Sequence, residues 1–234
     1  GANISAVGLG NNSSGGTVYM MAANSAVAQT GALVNTSAGA TGDGGAIEFS
    51  ARKNVELAGG QFRASSTTGT MGTVLIDPET VTVSADYYSG GANHNIVADN
   101  TITVNAGVVV STRNVDGGDT ANQTTAVSVG NSGNLNLQAT SPAIGVGATS
   151  VALTTWTSPL WSRYYAGGAI PVNGVTDING QARIEGTIDL DGHSLLALGE
   201  QITVAGTIVG ATDVTLDARG EQVATVEVQG DIQA

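Results

Sequence analysis

The sequence predicts an all-β fold, a parallel β-helix (β-solenoid) with projecting loops, of roughly seven to nine coils. Three observations predict it. Short runs alternate apolar and polar residues with period two, as strands with one buried face do. These runs recur about every 28 residues, as coils of a solenoid do. Glycine is abundant at 34 residues while proline numbers only 4, and Asn, Thr and Ser fill the gaps between Val, Ile and Leu. That mixture favours strands and turns over helices.

The clearest repeat lies in 17–83. Thr17–Met20, Ala46–Phe49 and Thr73–Ile76 open successive coils. Ala26–Gln29 and Val55–Ala58 form the middle runs, and Leu33–Ser37 and Phe62–Ser66 the third. Ile47 and Phe49 alternate with Glu48 and Ser50, which assigns those two polar residues to the outer face. Gly59-Gly60 and Thr67-Thr68-Gly69 supply the corners. One such coil cannot bury its apolar face alone, so stability must come from stacking.

Before the repeat, residues 1–16, a glycine- and asparagine-rich stretch containing Ile4 and Val7, read as the end of a preceding coil. After it, Asp77-Pro78 ends the third opening strand, because proline lacks an amide donor and holds its predecessor extended. Val81 and Val83 then face inward, and 85–93 (ADYYSGGAN) reads as a projecting loop. Strands resume at Asn95–Ala98, Thr101–Asn105 and Val108–Ser111, with a polar loop at Asn114–Thr125. Ala126–Val129, Asn134–Gln138, Ile144–Val146 and Val151–Leu153 continue the pattern. The segment 154–168 (TTWTSPLWSRYYAGG) interrupts it. The ladder returns through Ile170–Val172, Ala182–Ile184, Thr187–Leu190, Leu195–Leu198, Ile202–Val204, Thr207–Val209, Val214–Asp217 and Thr225–Val228. Three parts follow: coils over 1–153, an aromatic insertion at 154–168, and further coils over 169–234.

Charge narrows the function. Asp plus Glu is 19 and Lys plus Arg is 7, a net charge of −12, with Lys53 the only lysine. Such a surface repels phosphates and anionic lipid, so neither nucleic acid nor membrane insertion is expected. No run of 18 apolar residues exists to span a bilayer. Cysteine is absent, which excludes disulfides and thiolate metal sites. It also suits a chain exported unfolded. The start at Gly1, without a signal peptide, reads as a piece of a longer polypeptide.

The order GGAIEFS (44–50), VELAG (55–59) and GTVLIDP (72–78) resembles the shaft repeats of filamentous-haemagglutinin-like two-partner-secretion exoproteins. NTITVNAGVVVSTR (100–113) and GNLNLQA (133–139) are similar to the coils that follow in such shafts. The resemblance covers residues 40–140. It implies a right-handed parallel β-helix, export from a Gram-negative bacterium through an outer-membrane secretion partner, and a place outside the cell or on its surface. It implies adhesion, aggregation or biofilm building, with a host or bacterial surface glycan or protein, or copies of the chain itself, as partner. The family's secretion-domain motifs of the NPNG and NPHL kind are absent, and the aromatic insertion is not part of the shaft pattern. A shaft or distal segment is the expected identity.

Chemistry-bearing residues are few. Trp156, Trp161, Tyr164 and Tyr165 are four of the chain's nine aromatics, and Arg163 lies among them. In a Gly/Ser/Pro loop they can stack on sugar rings or anchor a protein partner, or fold down over the shaft as a lid. Glu185, Thr187, Asp189 and Asp191 fall at i, i+2 spacing opposite Ile184, Ile188 and Leu190, with His193 close by. Outward carboxylates of this kind serve acid–base or metal chemistry in some β-helix enzymes, or simply form a solvated face. Asp116, Asp119, Asp189 and Asp191 offer oxygens to Ca²⁺ but complete no known calcium loop, so no cofactor is expected. Outward Thr80/Thr82 and Thr101/Thr103 do not recur in every coil, as an ice-matching face would require. The leading expectation is a non-catalytic structural segment of a secreted adhesin or matrix fibre. A self-assembling filament subunit and a carbohydrate-active enzyme are the alternatives.

Overall fold

The computed structural model describes residues 1–88, 93–98, 100–111, 135–139, 181–218 and 224–233. Strands form wherever the alternation was read there, and three sides are visited in turn. The first sheet stacks β2 (Thr17–Ala22), β5 (Ala46–Ala51), β8 (Thr73–Ile76), β11 (Asn93–Ala98) and β14 (Leu135–Ala139). It continues through the second halves of β16 (Thr187–Gly199) and β18 (Thr207–Ala218). The second sheet stacks β3 (Ser25–Gln29), β6 (Asn54–Ala58), β9 (Thr80–Val83), β12 (Thr101–Val104), β15 (Gln181–Ile184), β17 (Gln201–Val204) and β19 (Thr225–Val228). The third side begins with β1 (Asn3–Ser5), β4 (Leu33–Asn35) and β7 (Gln61–Arg63). It resumes with β10 (Tyr87–Tyr88), β13 (Val109–Ser111), the first halves of β16 and β18, and β20 (Asp231–Gln233). Among the described residues all strand-to-strand pairings are parallel, an arrangement compatible with a β-solenoid, and no helix there could cross a membrane.

Register explains the core. In the second sheet Ala26, Val55, Val81, Ile102, Ala182, Ile202 and Val226 lie one above another. Ala28, Leu57, Val83, Val104, Ile184, Val204 and Val228 form a second ladder beside them. Because side chains alternate across a strand, fixing the register sends both ladders inward together. The interior members are fully buried. Thr187 pairs with Thr207, in step with the tightened spacing of the later coils.

Three details depart from the sequence reading. The polar corners of the early coils are ordered by stacked hydrogen bonds, such as Ser65 Oγ to Ser37 Oγ at 2.9 Å and Thr70 N to Asp43 Oδ1 at 2.7 Å. In the later coils that corner vanishes. Thr187–Leu190 and Leu195–Leu198 are one strand, bent where the register shifts between Asp189 and Ser194. The tyrosine pair, expected to project, instead forms β10, and Tyr87 is only 1% exposed. Strand pairing with Val110 and Ser111 turns its ring inward against Phe62, overriding the turn-like composition of its neighbours. The expected strands at 126–129, 144–146, 151–153 and 170–172, and the loop at 114–125, lie outside the described residues.

Burial raises the ionisation of the Tyr87 phenol well above its usual range, because the anion is desolvated. The neutral phenol is the protonated form, so its contribution to stability is complete below pH of about 10, the unfolded value. It is lost as pH rises through the folded value. Ultraviolet titration is expected to show the Tyr87 phenol ionising only with unfolding, a late step that Tyr87→Phe removes.

Candidate functional site

The acidic row keeps its alternating burial over residues 185–190 but not a common purpose. Glu185 lies in the corner after β15, where Arg183 Nη2 donates to its Oε1 at 2.6 Å. Asp189 lies beyond that corner on β16 and accepts a hydrogen bond from Ser111 Oγ on β13 at 3.4 Å. A chain corner therefore divides the two carboxylates, and each has its own partner. The side chains of Asp191 and His193 lie outside the described residues. Among the described residues no group of three or more metal-ligating side chains comes together.

Trp156, Trp161, Arg163, Tyr164 and Tyr165, and the Asp116/Asp119 pair, also lie outside the described residues. Their attachment to the fold is nevertheless defined. Residues 112–134 leave the end of β13 and return at β14, while 140–180 leave β14 and return at β15. Both stretches thus flank β14, a single strand in the middle of the first sheet. β14 itself pairs with β11 on one side and β16 on the other.

The structure brings together a different cluster, on the outer face of the first sheet near the start of the stack. Glu48 and Ser50 point away from the core, as alternation requires, yet both are 0% exposed. Ser50 Oγ lies 3.3 Å from Glu48 Oε1 and makes a short hydrogen bond to Asp77 Oδ1, immediately after β8. Leu75 and Asn95, on the same face of the next strands, are equally enclosed. Glu48, Asp77 and Asn95 each engage further partners. The alternation places Glu48 and Ser50 on the outer face, and it gives no sign that this part of the face is enclosed. The missed signal is the repeat itself: Ala46 stacks on Thr73, so counting on at equal register sets Ser50 over Asp77.

One hydroxyl carries one hydrogen, so Ser50 donates to one carboxyl group at a time and sits between the two as a hinge of hydrogen bonding. A buried unit of this kind gives cohesion rather than turnover, because a fully enclosed carboxyl pair offers a substrate no approach. Ser50→Ala is expected to cost about 1–3 kcal/mol by taking the hydroxyl from two buried carboxyl groups. Urea unfolding followed by circular dichroism measures this, and an unchanged midpoint would show the hydroxyl to be dispensable.

No protein-family model, curated protein or solved structure matches this chain.

Proposed function

We propose that this chain is a shaft segment of a filamentous-haemagglutinin-like two-partner-secretion exoprotein. It folds as a right-handed parallel β-helix and serves adhesion or aggregation without catalysis. The observation that carries the reading is the unbroken second sheet, seven strands in continuous register from β3 to β19. A ladder so regular is a spacer, stiff along its axis and chemically uniform inside. Right-handedness is supported by the strong preference of parallel strands joined by a crossover in one sheet. Absence of turnover is supported by the separate engagement of Glu185 and Asp189 with Arg183 and Ser111.

Binding belongs to the stretch that links β14 to β15 in the sequence. There Trp156, Trp161, Tyr164 and Tyr165 supply flat apolar surface for sugar rings or a protein partner, and Arg163 supplies a charged donor. The partner is a glycan or protein on a host or bacterial surface, and no cofactor is required. Export through an outer-membrane secretion partner of a Gram-negative bacterium places the segment outside the cell.

The test is binding of chain-coated beads to epithelial cells, bacterial cells and an array of surface glycans. The intact chain is expected to bind, and a variant lacking 154–168, with unchanged circular dichroism, is expected not to. Beads that bind nothing, or binding indifferent to the deletion, would sink the reading.

A further inference from the structure

The middle of the second sheet presents a nearly uncharged outer face on a chain of net charge −12. Register stacks Thr80, Thr101, Gln181 and Gln201 in one outward row across β9, β12, β15 and β17. Thr82, Thr103, Arg183 and Thr203 form the row beside it. These four strands lie inside the stack, between β6 and β19, so the character of the face does not depend on the end coils. Neither row holds an apolar side chain, and the single charge, Arg183, is engaged by Glu185 at 2.6 Å. The hydroxyls are uncommitted. Among the described residues Thr82, Thr103 and Thr203 make no side-chain hydrogen bond, and Thr101 reaches only Asn100 Oδ1 at 3.5 Å. Gln181 and Gln201 are exposed and equally uncommitted. The early corners behave in the opposite way, for there Ser37 and Ser65 satisfy one another at 2.9 Å.

Chemistry decides what fits this face. A protein partner needs an apolar core at its interface, and these rows offer none. A polyanion needs cations that are not already paired, and it would meet Glu56 on the adjoining strand β6. A neutral polymer rich in hydroxyls meets neither obstacle, because its groups give and accept hydrogen bonds as threonine and glutamine do. Parallel strands repeat at about 4.8 Å, so a chain molecule laid along the stack finds a fresh pair of polar groups at every coil. With no aromatic ring to stack on, one sugar gains little from such contacts. Affinity comes from length, as each further sugar binds next to one already held.

We propose that the outer face of β9, β12, β15 and β17 binds an extended, neutral β-linked polysaccharide lying along the stack. The surface is built from residues other than 154–168 and is independent of the adhesive reading: a chain that binds no cell would still hold the polymer.

Titration calorimetry with cellohexaose, mannohexaose and chitohexaose is expected to show binding of at least one, at least tenfold tighter than its disaccharide. Polygalacturonate, an anionic polymer, is expected not to bind. Thr82→Val with Thr103→Val deletes two hydroxyls while keeping strand preference, and is expected to weaken binding at least fivefold. Thr215→Val, on β18 in the first sheet, is expected to leave it unchanged. The variant lacking 154–168 is expected to bind the hexasaccharide as the intact chain does, which separates this surface from the adhesive one. No binding of any of the three, equal affinity for disaccharide and hexasaccharide, indifference to the double substitution, or loss of binding with 154–168 would each overturn the proposal.

Discussion

Gly206→Ala is expected to destabilise the later coils by about 3 kcal/mol or more, the upper end of what overpacking costs. A methyl group there would stand 1.8 Å from the carbonyl oxygen of Gly186, a backbone atom one coil away. The same crowding recurs one coil on, where a methyl on Gly230 would meet the oxygen of Gly206 at 1.7 Å. These glycines stand in a column at the corner between the second sheet and the third side. They let successive coils approach to strand spacing, which is the contact on which a stacked array depends. Gly107→Ala is the matched control. Its added methyl meets nothing within 4 Å, so only its φ of +78° carries a penalty, about 1–2 kcal/mol. Urea unfolding of the pair tests the argument, and equal losses would mean that close approach is not what the corner requires.

Phe62→Ala is expected to cost about 3–5 kcal/mol, the range for emptying a buried aromatic site. Its position makes the loss local and severe. The third side is interrupted between β7 and β10, which belong to different sheets and share no ladder of hydrogen bonds. Phe62 spans that interruption. It is 1% exposed, with its ring 5.2 Å from Phe49 and 6.2 Å from Tyr87, both tilted as aromatic quadrupoles prefer. Hydrogen exchange is expected to show early loss of protection in β1 to β7 while β15 to β18 hold, since distant coils share no contact with the ring. Phe62→Leu retains most of the volume and is expected to lose much less. A Phe62→Ala protein as stable as its parent would mean that the corner closes by other means.

The second sheet was almost fully legible, and for a physical reason. Its strands are short, one face is buried, and Val55/Leu57, Val81/Val83 and Ile202/Val204 repeat a two-residue pattern at a spacing the eye can follow. The first sheet was harder. Its outer face at Glu48, Ser50 and Asp77 obeys the same alternation but is enclosed, and alternation reports direction rather than solvent. Tyr87 was hidden for the opposite reason, because its neighbours have the composition of a turn while its place is fixed by pairing with Val110. The bend in β16 was instead read as a break between two strands, since Asp191-Gly192 has the composition of a turn, while the strand runs on through it with a shift of register. Of the chemistry, the divided fates of Glu185 and Asp189 depended on a corner at Gly186, and equal spacing in sequence gave no warning of it.

The direction of the ladder has a mechanical consequence. Hydrogen bonds between successive coils run along the stack, so tension applied along that axis loads them in series rather than together. The end coil yields first and the rest stay shut, each peeled coil releasing some 20 residues or more, roughly 70 Å of slack at about 3.4 Å per residue. A tether built this way lengthens under load in steps and dissipates work at each one. Because every rung repeats the last, it can close again from the portion that never opened.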